Sequence, residues 1–214
     1  IRTWYRGQWT RSSGHGFSAL SRAVLLGVLQ RRALEAGCEL GFESEVADVE
    51  RHLEADLVLG ADGVNSSVRG RFAAGFRPHV ELGACRFCWL GSDLPLDAFT
   101  FLFAETEHGL FQVHAYPYAA DRSTFIVETH DGAWRAAGLD RASEADTVAI
   151  CERLFAGFLD GHRLLANRSI WRQFPTLSCE AWSHGHVALL GDAAHTAHYS
   201  IGSGTKLAME DAIA

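Results

Sequence analysis

The sequence predicts an α/β chain, α+β overall, in which one α/β domain is split by an inserted antiparallel sheet. Three observations carry that reading. Residues 1–75 pass from a helix pattern to a buried strand ending in Asp62-Gly63. Residues 76–178 are short aromatic segments separated by turn residues, as in an antiparallel sheet. Residues 179–214 return to an apolar strand, a polar glycine-rich loop and the start of a helix.

The elements follow in order. Two short strand-like pieces and the turn "SSGHG" occupy the first twenty or so residues. Ser21 is placed to cap a helix, with Leu20 and Leu25 as its hydrophobic staple. Val24, Leu25, Val28 and Leu29 form its apolar face, and Gly37 stops it. "CELGFESEV" alternates as a strand, and "ADLVLGADG" is a near-continuous apolar run suited to a parallel, buried strand. "CRFCWLG", "FTFLFAE", "GLFQVHAYPY" and "STFIVETH" build the inserted sheet. One helix interrupts it: Ser143 and Asp146 open it, Val148, Cys151, Leu154, Phe155 and Phe158 form its stripe, and Gly161 ends it. "HVALLGD" then restores the α/β texture, so Asp62 and Asp192 each follow a strand whose C-terminal end is where open α/β sheets bind ligands.

Composition removes several function classes. With 48% apolar and 21% charged residues the chain sustains a core, and its net charge of −7 argues against a nucleic-acid surface. No apolar run approaches the ~18 residues of a membrane span. Five scattered cysteines and no signal peptide fit a reducing cytoplasm. Cys85 and Cys88 form a single C-x-x-C with no second ligand pair, and His184 and His186 flank a turn glycine; neither pattern amounts to a metal site. Ile1 at the start, and Ala214 inside a continuing helix, are expected of a fragment.

Two motifs carry chemistry. In "LVLGADGVNSSVR", Asp62 suits a sugar hydroxyl or a backbone nest, with a simple strand-end Asx turn as the alternative. Gly63 lets the chain turn close to a ligand, and Arg69 suits a phosphate or pairing with Asp62. "VALLGDAAH" repeats the same logic at Asp192.

Together, "ADGVNSSVR" and "GDAAHTAHYSIGSGTKLAMEDA" resemble the two internal FAD-binding fingerprints of the single-component flavoprotein aromatic hydroxylases, the p-hydroxybenzoate hydroxylase-like family. Their order, spacing and intervening sheet are similar to that family over essentially the whole chain. The resemblance implies a partial three-layer, Rossmann-like FAD-binding domain with an inserted antiparallel-sheet substrate domain. Residues 1–75 and 179–214 would form the FAD-binding part and residues 76–178 the insert. No G-x-G-x-x-G unit opens the chain, so the expectation is a fragment lacking the first βαβ.

By the same resemblance, Gly191 and Asp192 bind the ribityl chain, and the N–H groups of Gly202, Ser203, Gly204, Thr205 and Lys206 face the pyrimidine edge of the flavin. Asp62 and Gly63 complete the cofactor site, and Arg22 matches a cofactor-contacting position, although a solvated charge in a first helical turn reads equally well. His195 is expected to bond the backbone of its turn, and Glu210 and Asp211 to form an exposed or capping acidic pair.

The loop departs from the family's usual P-P-x-G-x-G-x-N: His198 and Tyr199 stand at the proline positions, Ile201 at a glycine and Lys206 at the asparagine. That variant is similar to the subgroup acting on aryl-CoA thioesters, salicylyl-CoA 5-hydroxylase and 2-aminobenzoyl-CoA monooxygenase. A tryptophan-pathway hydroxylase of violacein biosynthesis is a more distant likeness. His198 and Tyr199 are the catalytic candidates, the alternative being that they pack and bond the backbone. Gln112, His114 and Tyr116 share a face by alternation and are substrate-contact candidates, with core packing as the alternative.

The activity implied is ring hydroxylation. NAD(P)H reduces FAD, O2 gives a C4a-hydroperoxide, and the oxygen passes to an aromatic ring, with no metal and no nucleophilic side chain. Expected partners are a small aromatic substrate such as a CoA thioester and, in full-length form, a second copy, with no nucleic acid or membrane. Alternatives are a truncated, non-catalytic fragment, a hydroxylase of an indole-derived substrate, and a flavin-dependent reductase.

Overall fold

The computed structural model describes residues 1–16 and 20–214. In chain order its elements are β1 (Arg2–Tyr5), β2 (Gln8–Arg11), α1 (Arg22–Glu35), β3 (Val58–Gly60), α2 (Ser67–Arg71), α3 (Ala73–Phe76), β4 (Pro78–Ser92), β5 (Thr100–Thr106), β6 (Gly109–Ala119) and β7 (Arg122–His130). Then come α4 (Asp131–Ala136), α5 (Glu144–Leu154), α6 (Ala156–Leu159), β8 (Leu164–Leu165), β9 (Arg172–Cys179), β10 (Ser183–His184), β11 (Val187–Leu189) and α7 (Gly204–Asp211). The chain is mixed α/β and divides into two units, one of residues 1–41 and 84–173, the other of residues 42–83 and 174–214.

The first unit is built on a sheet of order β2-β1-β5-β6-β7-β4-β8. Arg6 and Gly7 both take positive φ, the twist a two-residue hairpin turn needs between β1 and β2. β5, β6, β7 and β4 pair antiparallel, as short aromatic segments between turn residues predict. One face carries Leu102, Phe111, Val113, Phe125 and Val127, all at or near zero exposure, which pack with Cys151, Phe155, Phe158 and Leu159 of the helical segment. Phe125 meets Phe155 edge-on at 5.6 Å. The Ser143–Asp146 capping box is formed reciprocally and opens α5.

Here the expectations need four corrections. The helix from Ser143 is interrupted at Phe155, and α6 stops where Asp160 enters the left-handed region. α4 was not legible, being too short for a periodic stripe; the His130 ring caps it by accepting from the Gly132 N–H. α1 begins at the Ser21 cap as expected, yet Val24, Val28 and Leu29 stay about half exposed and no residue of the helix is buried. Finally, residues 1–41 group with the inserted sheet rather than with residues 42–75, because β1 pairs β5 in parallel. A strand's own sequence does not say which sheet receives it.

The second unit holds the sheet β10-β11-β3. β11 and β3 run parallel with Leu189 opposite Gly60, so both strands end at the same edge. Phe76, Val68, Val187, Leu189, Ala193 and Ala194 form its core. β3 is less buried than its apolar run suggests, with Leu59 52% exposed on an edge strand. Residues 38–46 form no strand: Phe42 and Val46 are exposed, and among the described residues no neighbouring strand offers them a ladder. His184 packs on Phe72 and Phe76, and Gly185 takes positive φ between β10 and β11, so the histidine pair makes a hairpin.

Candidate functional site

The polar loop after β11 is tied down by its own helix. Gly191 adopts φ +56°, and a Cβ there would lie 2.9 Å from Ala208 Cβ in α7, so only glycine allows this approach. Its N–H donates to Asp211 Oδ2 at 2.9 Å, and His195 Nε2 lies 2.9 Å from the same oxygen. The imidazole also stacks on Trp182 at 4.6 Å. His195 therefore holds its turn through a carboxylate rather than a backbone group. Asp211, its side chain only 10% exposed, is a half-buried anchor rather than a surface charge.

The two strand-end aspartates differ. Asp62 Oδ2 accepts from Ser67 N–H at 2.7 Å, Ser67 Oγ at 3.0 Å and Val68 N–H at 3.3 Å, so it caps α2. Burial pushes its carboxyl up, but the hydrogen bonds from Ser66, Val68 and Ser67 outweigh that and hold it below the ordinary carboxylate value. Gly63 follows at φ +81°. Asp192 is exposed, and among the described residues nothing bonds or pairs with its carboxylate. Arg69 is buried and does not pair with Asp62; its guanidinium donates to the carbonyls of Ala193, at 2.9 Å, and Val64. It thereby stitches the two motifs together, a role that spacing alone does not reveal.

Beyond the turn, His198 Nδ1 bonds Ser200 Oγ at 2.8 Å, and the rings of His198 and Tyr199 lie 5.0 and 5.8 Å from Phe174. The side chain of Ile201 lies outside what is described. Gly202 takes φ +67°, and α7 opens at Gly204 with no side chain capping it. The first N–H groups of a helix have no partner within it, so Gly204, Thr205 and Lys206 present donors at a positive dipole end. The Lys206 ammonium is directed to Glu210 along the helix. Gly191, Asp192, His195, Ala197, Gly204 and Ala208 line a crevice between turn and helix.

In the first unit, Gln112, His114 and Tyr116 do share the sheet face opposite the helices. His114 is buried and meets the Phe101 ring edge-on at 5.1 Å, and Tyr116 stacks on Phe99 at 5.5 Å. Burial raises the Tyr116 phenol above its ordinary value, partly offset by a bond to Thr124. Glu128, opposite Gln112 in the ladder, was missed; it is 5% exposed, with Oε2 3.7 Å from His114 Nε2. A lone acid in the apolar run "TFIVE", in phase with the buried positions, is the signal that marks it. Arg22 is the exposed first residue of α1 and makes no hydrogen bond or ion pair among the described residues.

Cys85 and Cys88, three apart on β4, project to opposite faces and do not converge on one ion. Burial first, then the Glu128 charge, raises the Cys85 thiol; burial and the Glu144 charge push Cys88 up to about 12. Among the described residues no helix is long and apolar enough to cross a membrane, and no group of His, Cys, Asp or Glu is placed to hold a metal ion.

Residues 29–214 match the family model described as "FAD binding domain". The chain is 43% identical to salicyloyl-CoA 5-hydroxylase of a Streptomyces species, over 97% of this chain and 42% of that protein. It is 45% identical to 3-hydroxy-4-methyl-anthranilyl-[aryl-carrier protein] 5-monooxygenase of Streptosporangium sibiricum, over 91% of this chain and 51% of that protein. Protodeoxyviolaceinate monooxygenase of Chromobacterium violaceum is 33% identical over 90% of this chain and 54% of its own length. Thus the chain spans about half the length of these relatives. A solved structure, the tetrameric form of 2-methyl-3-hydroxypyridine-5-carboxylic acid oxygenase, shares the fold with a TM-score of 0.72 at 22% identity, over 97% of this chain and 60% of that one.

Proposed function

Since this chain belongs to the FAD-binding-domain family, we propose that it is part of a flavin-dependent monooxygenase that hydroxylates the ring of an aryl thioester. The observation that carries the reading is an exposed Asp192 carboxylate, unpaired among the described residues, held near an uncapped helix start by the close approach of Gly191 to Ala208. That donor set fits a cofactor with hydroxyls on one side and an electron-accepting carbonyl edge on the other. Gly191 keeps the turn close enough to α7 for both to meet one ligand.

A bound flavin would supply the redox chemistry, with reduced nicotinamide as electron source and O2 as oxygen source. This chain's residues do the rest. Asp192 accepts from a ribityl hydroxyl, while Asp62 and Gly63 hold the neighbouring turn. The N–H groups from Gly202 to Lys206, with the α7 dipole, favour negative charge on whatever lies against them. His198, bonded to Ser200, and Tyr199, beside Phe174, are the groups we assign to contact with the reacting ring, His198 as a hydrogen-bonding or proton-exchanging group. The first unit's sheet carries Gln112, His114 and Tyr116 on one aromatic and polar face.

The thioester assignment draws on two relatives, at 43% and 45% identity, whose names specify a coenzyme A thioester and a carrier-protein-bound acyl group. Substrate-dependent oxidation of NADH and NADPH, run with aryl thioesters and with the corresponding free acids, tests it. Faster coupled oxidation with thioesters is expected; equal coupling with free acids refutes the assignment.

A further inference from the structure

At one end of the first unit's sheet lies a cleft of about 620 Å³, lined among others by Arg11, Ser12, Ser13, His15, Asp97 and Phe99. Its charge is uneven for a reason visible in the ladder. Arg2 and Arg11 stand directly opposite each other across the β1–β2 hairpin, and like charges so placed repel. Asp97 neutralises one of them, bonding the Arg2 guanidinium at 2.6 Å. Among the described residues no carboxylate pairs with Arg11. In a chain of net charge −7, this leaves a cation at the cleft that an anion from outside would satisfy.

The rest of the lining defines what that anion is attached to. Ser12 Oγ and His15 Nε2 lie 2.7 Å apart and, with Ser13, give hydroxyl and imidazole groups suited to amides. Phe99 belongs to two places at once: it lines the cleft and stacks on Tyr116, whose face carries Gln112 and His114. The cleft thus presents a cation, polar hydrogen-bonding groups and an aromatic end. Its volume lies within the roughly 300–1,000 Å³ of ligand pockets.

Resting on the thioester reading above, we infer that this cleft binds the 4′-phosphopantetheine arm of the substrate, with Arg11 on the phosphate and the aryl group toward Phe99. The same arm is delivered by coenzyme A or by a carrier protein, and the cleft recognises what they share.

Calorimetric titration of the protein with coenzyme A, 4′-phosphopantetheine and pantetheine tests this directly. The phosphorylated compounds bind, Arg11→Ala weakens them at least about ten-fold, and pantetheine binding is unchanged. Arg11 is exposed at a strand end, so the variant keeps its fold, and Arg11→Lys restores most of the affinity by keeping the charge. Unchanged binding of the phosphorylated compounds in Arg11→Ala, or equal weakening for pantetheine, overturns the proposal. Turnover separates it from the reading on which it rests. Free acids processed as well as thioesters sink that reading, whereas thioester-selective turnover with an Arg11-independent KM sinks the cleft alone. A KM raised by Arg11→Ala for the coenzyme A thioester names coenzyme A as the source; one raised for the carrier-bound substrate names the carrier.

Discussion

Replacing Asp211 by alanine removes the anchor of the Gly191 turn. The Gly191 N–H loses its charge-assisted bond at 2.9 Å, and a buried donor is left without a partner. A hydrogen bond to a charged group contributes about 1.5–3 kcal/mol. The His195 contact, on a ring whose side chain is 26% exposed, adds about 0.5–1 kcal/mol. The expected loss is therefore about 2–4 kcal/mol. With a urea slope of ~2 kcal/mol per molar, the unfolding midpoint falls by about 1 M or more. Glu210→Ala is the matched control, because among the described residues the Glu210 side chain pairs only with the exposed Lys206. Its effect should stay within about 0.5 kcal/mol. Urea unfolding of both variants, followed by tryptophan fluorescence, makes the comparison. If Asp211→Ala moves the midpoint no further than Glu210→Ala, the reasoning about the turn is wrong.

Three further outcomes are expected. Asp192→Ala should leave unfolding unchanged but lower the retained flavin, read by visible absorbance, whereas Asp62→Ala should cost about 1 kcal/mol of stability through the lost cap on α2. Because the Asp62 carboxyl is held below its unfolded value, its contribution is complete above the ordinary carboxylate range and disappears as pH falls through the lower, folded value. Urea midpoints measured down the acid limb should show that decline, and Asp62→Asn should flatten it. Mass-resolved alkylation at mildly alkaline pH should modify exposed Cys38 rapidly and leave buried Cys88 and Cys151 silent until urea unfolds the chain.

Much of this architecture was legible because it is written in local patterns. Short aromatic segments between turn residues marked the strands β4 to β7, the Ser143–Asp146 spacing marked α5, and two apolar runs ending in aspartate marked the parallel pair β3 and β11. What stayed hidden depends on partners far away in sequence. Residues 38–46 alternate well, yet a strand exists only where a neighbour supplies its ladder. Glu210 and Asp211 are indistinguishable in a helical sequence, and only the return of α7 onto Gly191 turns one inward. Arg69 looked like a phosphate ligand, but two carbonyls brought close by the fold claim its guanidinium. Asp62 and Asp192 carried the same motif logic, and the hydrogen bonds of α2 alone separate a cap from a free carboxylate.

The proposed reaction is ring hydroxylation with an oxygen atom drawn from O2. Turnover of an aryl thioester under isotopically labelled molecular oxygen, followed by mass spectrometry of the product, tests it most directly. A single labelled oxygen on the aromatic ring, dependent on FAD and a reduced nicotinamide, is expected. A hydroxylated product carrying oxygen from water, or nicotinamide oxidation with no hydroxylated product for any aryl thioester, would contradict it.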